Sequence, residues 1–159
     1  MSLIRVGIDF DCSPRLVGAL DALYGHRGFE FIHMEKLVAA PTEDEIWADI
    51  LRRYGGRVVL SGNSKIAYKP HQAAAFIDNG LISFFPNGEW NRLKGHMRNA
   101  VMIEAWPRIE EKIASESAGS CWRIEFGYSR GELKLSGQPL TKLEIPSNVL
   151  DAARRRQAG

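Results

Sequence analysis

Through residue 90 the chain alternates short, uninterrupted apolar runs with longer stretches in which apolar residues recur every three or four positions. Residues 3–8 form the first run and read as a strand. Residues 14–24 follow with a helical stripe of Leu16, Ala19, Leu20 and Leu23, stopped at Gly25. Residues 29–33 form a second strand. Residues 43–54 form a second helix with Ile46, Trp47, Ile50 and Leu51 inward, halted by Gly55 and Gly56. A third strand covers residues 57–60, Pro70 opens a helix through residue 77, and residues 81–85 form a fourth strand. Strands and helices alternating at such short spacing imply right-handed crossovers between parallel strands. The predicted fold class is therefore α/β, a single-domain three-layer α/β/α arrangement around a mostly parallel central sheet.

Beyond residue 90 the pattern changes. Residues 90–114 carry a long helical stripe through Leu93, Met97, Val101 and Ile109, with Pro107 expected to kink or break it. Residues 122–126 and 132–135 flank a glycine-bounded turn and read as a C-terminal β-hairpin. Residues 151–159 are charged and are expected to fray, so the folded domain is expected to span residues 1–150. No repeat and no separating linker interrupts it.

At 159 residues the chain can bury about two thirds of the surface its unfolded form exposes. Its 21 basic and 19 acidic residues leave a formal charge of only +2, which calls for no polyanion partner in itself. Cys12 and Cys121 stand far apart, fit no zinc spacing and read as reduced thiols. No run approaches the roughly 18 apolar residues of a membrane span, and the N-terminus lacks a signal pattern. The expectation is a cytoplasmic protein with no membrane association.

Chemistry gathers where the strands end. Asp9 and Asp11 follow the first strand, and acids at the carboxyl end of a parallel strand lie in the crevice where open α/β sheets keep their sites. Two acids one residue apart can hold a divalent cation, although Asp11 or Ser13 would serve equally as the cap of the next helix. Strand alternation continuing through this tip would bury Phe10 and Cys12 on the side opposite the acids. Glu43, Asp44 and Glu45 open the second helix. Thr42 and Glu45 have capping-box spacing, which makes Asp44 the freer ligand. Asn63 follows the third strand.

These segments resemble PIN-like domains. Residues 9–16 (Asp-Phe-Asp-Cys-Ser-Pro-Arg-Leu) are similar to the family's opening motif, Asp44-Glu45-Ile46-Trp47 to its second acidic motif, and residues 61–66 followed by Tyr68-Lys69-Pro70 to its third. The likeness runs from about residue 3 to 90, with a weaker echo at residues 105–109. It implies a ribonuclease in which carboxylates hold Mg²⁺ or Mn²⁺, many members being VapC-type toxins of bacterial toxin-antitoxin pairs. It further implies Asp9, Asp11, Asp44 and the third-motif position, here Asn63, as the catalytic set, with Asp9, Asp11, Asp44 and Glu45 as metal ligands. Arg15, Ser61, Lys65 and Lys69 would contact substrate phosphate. The implied partners are RNA and a cognate antitoxin protein, with homodimerisation left open.

Asn63 departs from the family, which carries Asp there. A neutral amide holds a hard cation less firmly than a carboxylate does. The exchange is compatible with a weakened enzyme, with a nuclease silenced by substitution, or with a fold retained only for binding.

Two other readings stand beside this one. A haloacid-dehalogenase-like phosphatase would use Asp9 as nucleophile and Asp11 as acid and base, but needs a further acidic pair that residues 81–88 lack. A degenerate binding module would exploit Arg92, Lys94, His96 and Arg98, together with Arg15, Lys65, Lys69 and His71, although a solvated helix face explains such charges as well. Trp90 would stack on a base or, more commonly, be buried at a helix entry. His26 and His33 read as ordinary turn and strand residues.

Overall fold

In a computed structural model, which describes residues 3–39, 43–116 and 118–158, the chain forms a six-stranded sheet covered by helices on both faces. The elements are β1 (Ile4–Ile8), α1 (Arg15–Tyr24), β2 (Phe29–His33), α2 (Asp44–Arg53), β3 (Gly56–Leu60), α3 (Pro70–Asp78), β4 (Ile82–Pro86), α4 (Gly95–Ser115), β5 (Ser120–Ser129), β6 (Glu132–Lys142) and α5 (Ser147–Ala158). Strand order is β2-β1-β3-β4-β5-β6. All neighbours pair in parallel except β5 and β6. The expected α/β/α layering holds, with one extension. The hairpin is longer than its sequence pattern suggests and adds both its strands to the sheet.

The layers follow from strands buried on both faces, which is why they read as unbroken apolar runs. On one face Val6, Ile8, Val58, Leu60, Ile82 and Phe84 meet Leu16 and Leu20 of α1 and Val101, Met102, Ala105, Trp106 and Ile109 of α4. On the other face Val59 and Phe85 meet Trp47, Ala48 and Leu51 of α2 and Ala73 and Phe76 of α3. From β1 the chain passes to β2 on one side and then, through α2, to β3 on the other. The switch in direction opens a crevice at the carboxyl ends of β1 and β3, the usual ligand position of such sheets.

Four sequence expectations are corrected. Leu23 and Ile46 are half exposed rather than inward. The buried stripe of α1 steps from Leu16 to Leu20 to Tyr24, and that of α2 runs through Trp47, Ala48 and Leu51, so both residues lie one position off the packed face. Residues 151–158, expected as a tail beyond the domain, are helical and complete α5, whose Val149 and Ala153, four apart, pack on Ala74 of α3. α4 begins at Gly95, after a 3₁₀ turn over Gly88–Arg92.

Finally, α4 runs through Pro107 rather than breaking there. Proline cannot donate to the carbonyl four residues back, that of Ile103. The Tyr24 hydroxyl at the end of α1 donates to that carbonyl at 3.1 Å instead.

Candidate active site at the carboxyl edge of the sheet

β1 and β3 end side by side, and each extends its ladder by one bond. The Asp9 N–H donates to Leu60 O at 3.1 Å, and the Ser61 N–H to Phe84 O at 2.8 Å. Asp9 and Ser61 therefore lie at adjacent strand tips, and the Ser61 hydroxyl donates to Asp9 Oδ2. Asp9 Oδ1 accepts from the N–H groups of Asp11 at 3.0 Å and Gly62 at 3.1 Å. The carboxylate is only 6% exposed. Burial pushes its pKa up from 3.8 to about 7. The Ser61 bond opposes that rise, the nearby Asp11 charge adds to it, and the two backbone donors work against it.

The chain turns sharply here. The Cys12 N–H donates to Asp9 O at 3.2 Å, so strand alternation stops at Ile8 and the expected common side for Phe10 and Cys12 is not found. Phe10 is half-buried, packs edge-on against His33 and joins the α2 face of the core. Cys12 is buried in the α1 and α4 face. Burial first, then the charges of Asp9 and Asp11, holds the Cys12 thiol well above its usual pKa, so it is an inert packing group. His33 Nδ1 accepts from the Glu35 N–H at 3.2 Å, which puts the ring proton on Nε2, where it meets Cys12 O at 2.9 Å. This histidine, an ordinary strand residue by sequence, ties the Asp9 turn to the end of β2.

Gly62 is required by close approach. A Cβ there would stand 2.7 Å from the carbonyl oxygen of Asp11. The next residues fold back on themselves, with the Asn63 N–H donating to Ser61 Oγ at 3.0 Å and Asn63 Oδ1 accepting from the Lys65 N–H at 3.0 Å. Asn91 in the loop after β4 donates from Nδ2 to Ser64 Oγ at 3.0 Å, locking that loop to this one. Arg98, near the start of α4, sits over the Trp90 ring at 5.4 Å and donates to Trp90 O at 3.3 Å. Trp90 is buried, in keeping with the commoner of its two readings. The result is a concavity of about 260 Å³ lined by Asp11, Gly62, Asn63, Ser64, Lys65, Asn91 and Arg98; Asp9 does not line it, but its carboxylate accepts from the N–H groups of two lining residues, Asp11 and Gly62.

The structure thus brings Asp9, Asp11, Ser61, Asn63 and Lys65 together. Ser61 corrects its assigned role, because it is fully buried and its hydroxyl is spent on Asp9 and Asn63, leaving nothing for substrate. Glu45 is also corrected. It lines a different cavity, with Ile46, Asp49, Arg53 and Arg156, between α2 and α5, because it lies on the helix face turned from the sheet. Asp44 opens α2, whose first turn the topology sets at this same sheet edge; its side chain, like Thr42 of the expected capping box, lies outside the described residues. Arg15 is exposed at the start of α1 and lines neither concavity of this edge. Lys69 is exposed beside Lys65 in the adjoining hollow. Sequence reasoning missed Asn91, His33 and Arg123.

The donors fit a hard divalent cation held weakly. They are all oxygens, and burial of the Asp9 charge is a cost that a cation would relieve. Among the described residues, however, no three Asp, Glu, His or Cys side chains converge as ligands. No described helix is long and apolar enough to cross a membrane.

No curated protein and no solved structure matches the chain significantly. The PIN like domain profile does match, over residues 5–88, which is just over half the sequence and spans β1 through the end of β4 with both strand tips of the crevice. This chain belongs to the PIN-like domain family.

Proposed function

We propose that this nuclease-like fold is a metal-dependent endoribonuclease, acting as the toxin of a toxin-antitoxin pair, with its metal site weakened by Asn63. The observation that carries the reading is the buried Asp9 carboxylate at the topological switch point, bonded to Asp11 and Gly62 of a cavity that Asn63, Lys65 and Arg98 also line. Asp9 and Asp11, with Asp44 from the α2 start, would hold Mg²⁺ or Mn²⁺. Such an ion activates water for attack on a phosphodiester and stabilises the leaving oxygen. Lys65 and Arg98 supply positive charge where the substrate's phosphate enters, and Ser61, Gly62 and the Asp11 N–H hold Asp9 in one orientation. An antitoxin fits the same cavity by inserting a basic group toward Asp11, since a desolvated carboxylate needs an opposite charge.

The phosphatase alternative has less support, because it needs a further acidic pair after the fourth strand and residues 81–88 contain none, whereas the family match favours the nuclease-like reading.

The test is hydrolysis of RNA with Mn²⁺ or EDTA by the chain as it stands and by Asn63→Asp. Adding a carboxylate beside Asp9 restores ligand charge, so Asn63→Asp should bind Mn²⁺ more tightly and cleave at least about tenfold faster, with EDTA abolishing turnover. Equal inactivity of the two folded proteins would favour a binding module.

A further inference from the structure

Next to the acidic cavity lies a second concavity of about 350 Å³, lined by Ser64, Lys65, Tyr68, Lys69, Asn91 and Arg123. The two hollows share Ser64, Lys65 and Asn91, so they form one continuous surface along the sheet edge. Tyr68 is 83% exposed; its N–H donates to Lys65 O at 2.9 Å, while its hydroxyl makes no hydrogen bond among the described residues. Its ring is nevertheless carried on firm backbone. It ends a 3₁₀ turn whose first residue, Ile66, is buried, and Pro70 two residues later opens α3. The residue ahead of proline is restricted away from helical backbone, which limits how Lys69, next to Tyr68, can move.

An aromatic ring left in water on rigid backbone, between two exposed lysines with no ion-pair partner among the described residues, is an unusual pairing of groups. Its chemistry matches a nucleotide. The ring offers a face to a base, and the ammonium groups meet the flanking phosphates. Asn91, oriented by its bond to Ser64, keeps its amide oxygen available to accept from a base edge. Ala67, Asn87 and Gly88 complete the lining. A paired base inside a duplex cannot turn its face to Tyr68, whereas an unpaired one can.

We propose that this concavity is a nucleobase subsite, which holds one unpaired RNA base against Tyr68 while the adjoining phosphate passes Lys65 toward the acidic cavity. The inference rests on the ribonuclease reading and narrows its substrate to single-stranded RNA. It makes Tyr68 a specificity residue for strand state rather than for base identity, because every base has a face to stack.

Binding can be read apart from cleavage. The full chain and its Tyr68→Ala and Tyr68→Phe variants are titrated, in EDTA, into a fluorescent eight-nucleotide RNA, its hairpin-paired counterpart and an abasic ribose-phosphate strand of equal length, with anisotropy as the signal. Expected are a roughly tenfold loss of affinity for the unpaired RNA in Tyr68→Ala, retention in Tyr68→Phe, and no difference among the three proteins on the abasic strand. An equal loss on RNA and abasic strands, no loss, equal Tyr68 dependence on the hairpin stem, or no RNA binding by the unaltered chain would each overturn the subsite. Tyr68-dependent binding without any Mn²⁺-dependent hydrolysis would leave the subsite standing and bring down the ribonuclease reading alone. Because the Tyr68 ring is so exposed, thermal unfolding of all three proteins should coincide.

Discussion

The inner and outer rims of the crevice put polar residues, an aspartate in each, to opposite ends. In the inner rim Asp9, Ser61 and Gly62 are buried and their polar groups are spent on one another. In the outer rim Asp11, Lys65, Tyr68 and Lys69 are exposed and reach outward. The inner groups are closely bonded because an unpaired polar atom there would cost about 1–3 kcal/mol. The outer groups meet water and are free to exchange it for a ligand. A polar residue at a strand tip can therefore be architecture or chemistry, and its hydrogen-bond partners tell which. Asp9 belongs to both, for it anchors the turn and also bears the charge that a cation would neutralise.

The largest effect should come from that double role. Folding raises the Asp9 pKa from 3.8 to about 7, so between those values the folded state holds a proton that the unfolded chain has lost. In EDTA, stability should then fall as pH rises from about 4 to about 7 and level off above, a loss of about 4 kcal/mol. Asp9→Asn keeps the acceptor for Gly62 and Asp11 but removes the charge. Denaturant unfolding at pH 8 should find the variant more stable than the parent, with its pH slope gone, while Mn²⁺-dependent RNA cleavage drops below detection. A less stable Asp9→Asn at pH 8 would make the carboxylate a structural anion rather than a strained one.

Gly62→Ala should be smaller. Its Cβ meets Asp11 backbone, which cannot swing aside, so the two strand tips must separate at a cost of about 1–3 kcal/mol, measured by chemical unfolding. The smallest effect on stability should be in the outer rim. Asp11→Asn should stay within about 0.5 kcal/mol of the parent, yet lose RNA cleavage by at least about tenfold in the Asn63→Asp background. A large stability change at Asp11 would erase the distinction between the rims.

The fold was legible through β4 because strands covered on both faces are apolar at consecutive positions, and because glycine and proline mark the helix ends. α5 was hidden by its composition: Val149 and Ala153 give a stripe too narrow to stand out among arginines. Leu23, Ile46 and Glu45 were misplaced by one helical step of about 100°, which spacing alone cannot resolve. In the site, Asp9, Asp11 and Asn63 could be placed at one edge since each follows a strand. Ser61 could not be separated from a substrate contact, because a hydroxyl after a strand carries no mark of burial. Asn91 arrives from the 3₁₀ turn after β4, and the bond from His33 at the end of β2 to Cys12 O joins residues 21 apart; contacts of that range leave no local pattern.

The register break in the hairpin bears on how the molecule behaves in company. β6 is one of the sheet's two edge strands, and between its pairings of Leu135 with Phe126 and Leu140 with Ile124 it inserts residues 136–139 opposite Glu125 alone. The insert ends in Pro139, which has no N–H to offer a neighbour. An incoming strand would find only Glu132 to Leu135 and then Leu140 to Lys142 in regular array, with charges at Glu132, Lys134 and Lys142. The β6 edge is thereby divided into segments too short to template strand addition, one of the ways in which exposed sheet edges are guarded against pairing with another chain.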